Sequence, residues 1–240
     1  KLVTVVGLVA LPVATYGFVR LLGFSRSVSG LAALTGSMFV FMESFSIFGA
    51  NIKSTLAGEF SFSWSFALSI LYLGIISRDT RLGRRFSPLA GVVLALTALT
   101  HIVTTMIVVT VSVAMLFRRN GPRTVISSWV LGFALSAFWS LPLAVRFLQG
   151  MATDMGWAPV SNVVGETPPG SPFPCEFIPI LVLGLIGMLW TMLRRNDVVV
   201  LAWLTLLPLA GYFLLPKVGV TVLYNARLLP YWYFGMYVFA

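Results

Sequence analysis

Apolar residues run through this chain in long blocks, broken by short clusters of arginine, rather than alternating with polar positions. Residues 2–19, 60–77, 124–145, 177–193 and 198–216 each hold 17 to 22 positions without a formal charge. At ~1.5 Å per residue such helices reach about 25–33 Å, the thickness of a hydrocarbon core. The ten-residue alternation of a membrane barrel is absent. The pattern predicts an all-α, polytopic membrane bundle, a single transmembrane domain over residues 1–240.

Phe86–Phe117 tests the topology, because its 32 residues carry no formal charge and have His101 near the middle. As one helix it would be about 48 Å long and need a tilt of about 50° to fit, beyond the usual range. Two helices of about 15 residues each, turning near Thr100–His101, fit a bilayer better. They also return Arg118–Arg119 to the side of Arg84–Arg85. The expected spans are 2–22, 30–49, 60–77, 87–101, 102–117, 124–147, 177–193, 198–215 and the start of a ninth near 229. Residues 50–59, 148–176 and 216–228 become outward loops. Pro142, Pro179 and Pro208 fall within spans, where they can kink helices and free carbonyls for other partners.

Composition agrees with the pattern. Hydrophobic residues make up 58% of the 240 positions and charged residues 10%, with mean hydropathy +0.96; a soluble surface needs roughly 25% charged residues. The net charge of +9 could suggest nucleic acid, but its distribution excludes that partner. With the hairpin, 11 basic residues fall in inward loops, namely Arg20, Arg26, Arg78, Arg81, Arg84, Arg85, Arg118, Arg119, Arg123, Arg194 and Arg195, and 5 face outward, namely Lys1, Lys53, Arg146, Lys217 and Arg227. A single crossing would give 9 to 7, so the hairpin satisfies the positive-inside rule better. The chain starts without Met and stops at Ala240 inside an apolar run, which reads as an internal piece of a larger chain. One cysteine, Cys175, excludes an intrachain disulfide and a Cys-rich metal site.

Acidic residues have the opposite bias: Glu43, Glu59, Asp154, Glu166 and Glu176 lie on or near the outward side, and Asp79 and Asp197 inward. Asp154 and Glu166 read as solvated loop charges. Glu59 stands in the polar segment Asn51-Ile-Lys-Ser-Thr-Leu-Ala-Gly-Glu-Phe-Ser-Phe-Ser, with the hydroxyls of Ser54, Thr55, Ser61, Ser63 and Ser65 expected to crowd around it. Either it favours the dipole of the helix that follows, or it is a catalytic base or a cation ligand (Mg, Mn or Ca) at the membrane surface, with Lys53 able to meet a phosphate. Glu43, expected inside the second span, would pair with Lys53, line the same cavity or be buried as a structural carboxylate. His101, at the hairpin apex beside Thr97, Thr100, Thr104 and Thr105, is either a hydrogen-bonding structural residue or a substrate contact or proton shuttle. In Tyr224-Asn-Ala-Arg-Leu-Leu-Pro-Tyr-Trp-Tyr, the aromatics Tyr231, Trp232 and Tyr233 read as an interfacial belt. Arg227, outward against the charge bias, suits a lipid phosphate or a carboxylate such as Glu59. Glu59 and Arg227 are therefore expected to converge on one outward cavity.

The segments Ser54-Thr-Leu-Ala-Gly-Glu-Phe-Ser-Phe-Ser and Asn225-Ala-Arg-Leu-Leu-Pro-Tyr-Trp-Tyr, with Leu-Thr-His at 99–101 between them, carry a resemblance over residues 30–240. The chain resembles the bacterial membrane proteins labelled 6-pyruvoyl-tetrahydropterin-synthase-related, which look like GT-C-fold glycosyltransferases, and is similar to the arabinofuranosyltransferases of the mycobacterial cell wall. The resemblance implies a multi-pass protein of the bacterial plasma membrane that moves a sugar from a polyprenyl-phosphate donor to a cell-envelope glycan or glycolipid acceptor on the outer face. It implies Glu59 as an acidic position of the site, and Lys53, Ser54, Thr55, His101, Asn225 and Arg227 as substrate contacts. The first large outward loop of that fold usually supplies a catalytic acid; residues 1–49 offer no such loop, so it is expected upstream of Lys1. A transporter or flippase of lipid-linked sugars, with Glu43, Glu59 and His101 lining a cavity, and a non-catalytic membrane subunit are the competing functions.

Overall fold

The computed structural model describes residues 2–149, 172–194, 198–220 and 223–240, and every regular element among them is helical. The helices are α1 (Leu2–Leu21), α2 (Arg26–Met38), α3 (Ile52–Leu56), α4 (Phe60–Arg81), α5 (Pro88–Thr100), α6 (Ile102–Ser112), α7 (Gly121–Leu148), α8 (Ile178–Arg194), α9 (Val199–Lys217) and α10 (Leu229–Phe239). Five stretches, Val3–Leu21, Phe60–Arg81, Gly121–Leu148, Cys175–Arg194 and Val199–Lys217, are long and apolar enough to cross a membrane. The chain is a helical, membrane-embedded protein.

Position in the bundle follows from which helix faces are covered. The apolar window of α4 is 72% buried, whereas that of α8 is 11% buried and that of α7 17%. A helix hydrophobic all round is covered by protein or by lipid. The central helix is therefore α4, and α7 and α8 present Val130, Phe138, Leu141, Ile186 and Leu189 outward. Small residues let α1 and α4 cross closely: a Cβ on Gly7 would meet the Ser63–Trp64 backbone at 2.5 Å, and one on Gly74 would lie 2.9 Å from the Phe18 Cα. These pairs, with Arg81 donating to the Leu22 carbonyl at 2.8 Å, make α1 and α4 parallel.

The expected hairpin is present. His101 alone separates α5 from α6, with extended backbone (φ −160°, ψ 121°). The Thr104 and Thr105 hydroxyls donate to its carbonyl at 2.8 and 3.0 Å, beside the Thr105 N–H at 3.4 Å, and tie the apex to the first turn of α6. At the near end of α5 Ser87 bonds Asp79 of α4, and at its far end the Thr97 carbonyl accepts from Ser65, so α4 and α5 are antiparallel. After α6 and a 3₁₀ turn at Val113–Phe117 the chain returns to its starting point, where Thr124 donates to the Arg84 carbonyl. Arg118 and Arg119 thus share an end of the bundle with Arg84 and Arg85. The same end holds Arg20, Arg26, Arg78, Arg81, Arg123 and Arg194; Lys53, Arg146, Lys217 and Arg227 lie at the other. Asp79, 1% exposed, fastens the arginine-rich end by accepting from Arg78 at 2.9 Å, Arg84 at 3.3 Å and the Ser87 hydroxyl at 2.7 Å.

Three expectations need correction. The second span does not run from 30 to 49: α2 ends at Met38, a 3₁₀ turn covers Phe39–Phe41, and residues 42–51 are irregular. Phe45 and Phe48 stack at 4.9 Å and pull this segment into the core, while the Asn51 amide donates to the Met42 and Phe45 carbonyls at 2.7 and 2.9 Å. Glu43 therefore lies on an irregular, exposed stretch (79% exposed) and not inside a helix. Tyr231, Trp232 and Tyr233 are buried, not an interfacial belt, because α10 packs against α2, α8 and α9. Pro179 is the second residue of α8, where its missing N–H costs nothing, so it does not kink that helix.

Candidate functional site

At the end of the bundle opposite the arginines, three polar side chains from distant segments meet. The Arg227 Nη2 donates to Glu59 Oε1 at 2.5 Å, and Nη1 lies 3.2 Å from His101 Nε2. Arg227 and Glu59 are 22% and 23% exposed, so the pair sits at a surface without being freely solvated. The expected convergence of Glu59 and Arg227, 168 positions apart, is what the fold produces.

Each member is held by local structure. Glu59 occupies the position before α4, yet its side chain makes no capping bond; the carboxylate turns to Arg227 instead of serving the helix start. Arg227 stands in a 3₁₀ turn at Asn225–Leu228, directly before α10. His101 is the α5–α6 apex, and its ring meets the Phe62 ring edge-on at 5.0 Å. Phe62 in turn depends on Gly49, because a Cβ there would come within 2.3 Å of the Phe62 ring and the backbone has φ +109°. Sequence reading singled out neither Phe62 nor Gly49; the one signal was a glycine inside an aromatic-rich loop.

Electrostatics fix the state of His101. Burial and then the Arg227 charge push its pKa down to about 4, so the ring is neutral at physiological pH. A guanidinium can only donate, so Nε2 must accept and the ring proton resides on Nδ1. That Nδ1 and Arg227 Nε are buried without hydrogen-bond partners among the described residues. Each such orphaned group costs about 1–3 kcal/mol. Water or a ligand oxygen reaching them would offset that cost.

The other expected contacts are engaged elsewhere. Lys53 pairs with Glu43 at 3.1 Å and also donates to the Glu43 carbonyl, as one sequence alternative held. Ser54 and Thr55 are buried and do not crowd Glu59: the Ser54 hydroxyl accepts from the Gly49 N–H at 3.2 Å and Thr55 bonds Ser63 at 2.7 Å. Nor does Ser65 reach the carboxylate, since its hydroxyl bonds Thr104 and the Thr97 carbonyl. Asn225 is 1% exposed and donates to the Tyr212 carbonyl at 3.0 Å. Glu176 accepts from the Ser44 hydroxyl. Asp154, Glu166, Asp197, Lys1 and Arg195 lie outside the described residues.

At Glu59 the carboxylate is paired with Arg227 at 2.5 Å. Among the described residues no three His, Cys, Asp or Glu side chains group together, and Arg227 already neutralises the carboxylate. Chemically, the cluster can bind an anion through Arg227, donate a hydrogen bond from a neutral histidine, and accept a proton on Glu59 once the ion pair opens. No protein-family model matches the chain, and neither the curated proteins nor the solved structures contain a match to it.

Proposed function

We propose that the chain belongs to a GT-C-like glycosyltransferase that takes a sugar from a polyprenyl-phosphate donor at the outer face of the bacterial plasma membrane and passes it to a cell-envelope glycan or glycolipid. The observation that carries this is the meeting of Glu59, His101 and Arg227 at the end of the bundle away from the arginine clusters. The positive-inside rule makes that the outer end, and the residue types match the needs of the reaction. The donor's phosphate competes for the Arg227 guanidinium and releases the Glu59 carboxylate. Glu59 then takes the proton of an acceptor hydroxyl as its oxygen bonds the sugar's anomeric carbon. The bond from that carbon to the phosphate breaks, and the leaving polyprenyl phosphate keeps the electron pair beside Arg227. His101 Nδ1–H is available to a donor or acceptor oxygen. The flippase alternative draws no support from Glu43, which sits on an exposed irregular segment paired with Lys53.

The test is Glu59→Gln in the whole protein, assayed for transfer from a panel of polyprenyl-phosphate sugars in detergent. Glutamine keeps shape and hydrogen bonding but cannot act as a base, so the expected loss is about 10²–10⁴-fold in rate. Turnover within a few-fold of the parent, with only a lower melting temperature, would leave the ion pair a structural tie and remove Glu59 from the chemistry.

A further inference from the structure

A second feature, which the Glu59–His101–Arg227 cluster does not use, lies at the opposite end of the bundle. A cavity of about 580 Å³ opens between the start of α5 and one face of α7. Its mouth carries Arg85 and Arg123, and its wall is apolar, with Phe86, Ile126 and Val130 all substantially exposed. Neither guanidinium has an ion-pair or hydrogen-bond partner among the described residues, unlike Arg78 and Arg84, which Asp79 holds. Both α5 and α7 also begin here without a side-chain cap, so their positive dipole ends add to the two cations.

We propose that this groove binds one anionic phospholipid of the leaflet at the arginine-rich end, with the phosphate between Arg85 and Arg123 and an acyl chain along α7. Charge complementarity selects the headgroup, since two unpaired cations and no carboxylate line the mouth. Dimensions select the tail. The lining positions of α7 recur every three or four residues from Arg123 to Ala134, one continuous helix face. At ~1.5 Å per residue this face is about 16 Å long, half of a hydrocarbon core of ~30 Å and so the depth of one leaflet. A soluble anion would use the arginines but leave the apolar face empty, and a zwitterionic lipid would fill the face with less return from the arginines.

Native mass spectrometry of the whole protein in detergent, titrated with dioleoyl-phosphatidylglycerol or dioleoyl-phosphatidylcholine, tests this. The first phosphatidylglycerol is expected to bind more tightly than phosphatidylcholine. Arg85→Gln with Arg123→Gln should weaken it by about tenfold or more, as two charges near a lipid phosphate imply, with phosphatidylcholine little changed. Ala134→Trp, which blocks the groove and keeps both charges, should weaken it too. Arg26→Gln with Arg119→Gln removes the same charge from the same end outside the groove and should leave the first binding step within about twofold. Equal losses in the groove pair and the control pair would mean a diffuse basic surface and overturn the site. So would unchanged binding in both groove variants, or competition by glycerol 1-phosphate at the lipid's own concentration, which would mean a headgroup-only contact.

Discussion

His101 is a neutral imidazole packed against a cation, and that arrangement makes stability depend on pH. Its pKa falls from the ordinary 6.5 to about 4 through burial and Arg227, so the unfolded chain binds a proton more readily than the folded one. The stabilisation is therefore complete above about pH 6.5 and is lost as pH falls toward 4. The full shift corresponds to roughly 3 kcal/mol as an upper bound at 1.36 kcal/mol per unit, and partial solvation lowers it. The expected outcome is that His101→Gln narrows the difference in thermal stability in detergent between pH 7 and pH 4.5, while its melting temperature at pH 7 changes less. An unchanged pH profile in that variant would show that the ring does not report on folding. At this scale the sequence was partly legible. An outward arginine and an outward carboxylate, each next to the start of an apolar span, were enough to expect Glu59 and Arg227 together. Ser54, Thr55 and Asn225 take partners within the protein, which their polarity in the sequence does not reveal, because polarity does not say whether a ligand or another protein group takes the hydrogen bond.

Asn225 shows what its polarity is for at the scale of the element. Pro216 lies in the last turn of α9 and has no N–H, so the Tyr212 carbonyl four residues earlier loses its helical donor. The Asn225 amide supplies a replacement at 3.0 Å, and tethers the turn before α10 to the end of α9. The two residues should therefore be energetically coupled. Asn225→Ala alone is expected to lower stability by about 0.5–1.5 kcal/mol, the net worth of the hydrogen bond it removes. In a Pro216→Ala background the new N–H can serve Tyr212, and the same substitution should cost less. A double-mutant cycle of unfolding in mixed micelles gives the coupling; additive effects would show that the amide acts elsewhere. Freed carbonyls at prolines were expected in general, but Pro216 with Asn225 was not identified, because the partner arrives nine positions later and from a non-helical turn. The misplaced end of α2 has a related cause. Residues 39–49 are apolar enough to continue a span, and only the packing of Phe45 and Phe48, held by the Asn51 amide, diverts them.

Across the whole molecule the arginine clusters and the Glu59–His101–Arg227 group occupy opposite ends, and the hairpin at His101 is what keeps them apart. Had Phe86–Phe117 crossed once, Arg118, Arg119 and Arg123 would have joined Glu59's end, and every later helix would have been inverted. Pattern and charge sufficed for this level of organisation, because helix length against bilayer thickness and loop charge are both written locally in the chain. Single-cysteine accessibility checks it without disturbing the machinery. Leu56 is 81% exposed at the Glu59 end and Leu82 60% exposed beside the arginine clusters, and the native Cys175, also exposed, reports on the Glu59 end by itself. In a Cys175→Ser background, Leu82→Cys and Arg119→Cys are expected to react with an impermeant maleimide only after right-side-out vesicles are opened, whereas Leu56→Cys reacts before. Labelling of positions 82 and 119 from opposite faces would break the hairpin. Labelling of both from outside would keep the fold but turn it over in the membrane, placing Glu59, His101 and Arg227 on the cytoplasmic face, where an outward polyprenyl-phosphate reaction has no access.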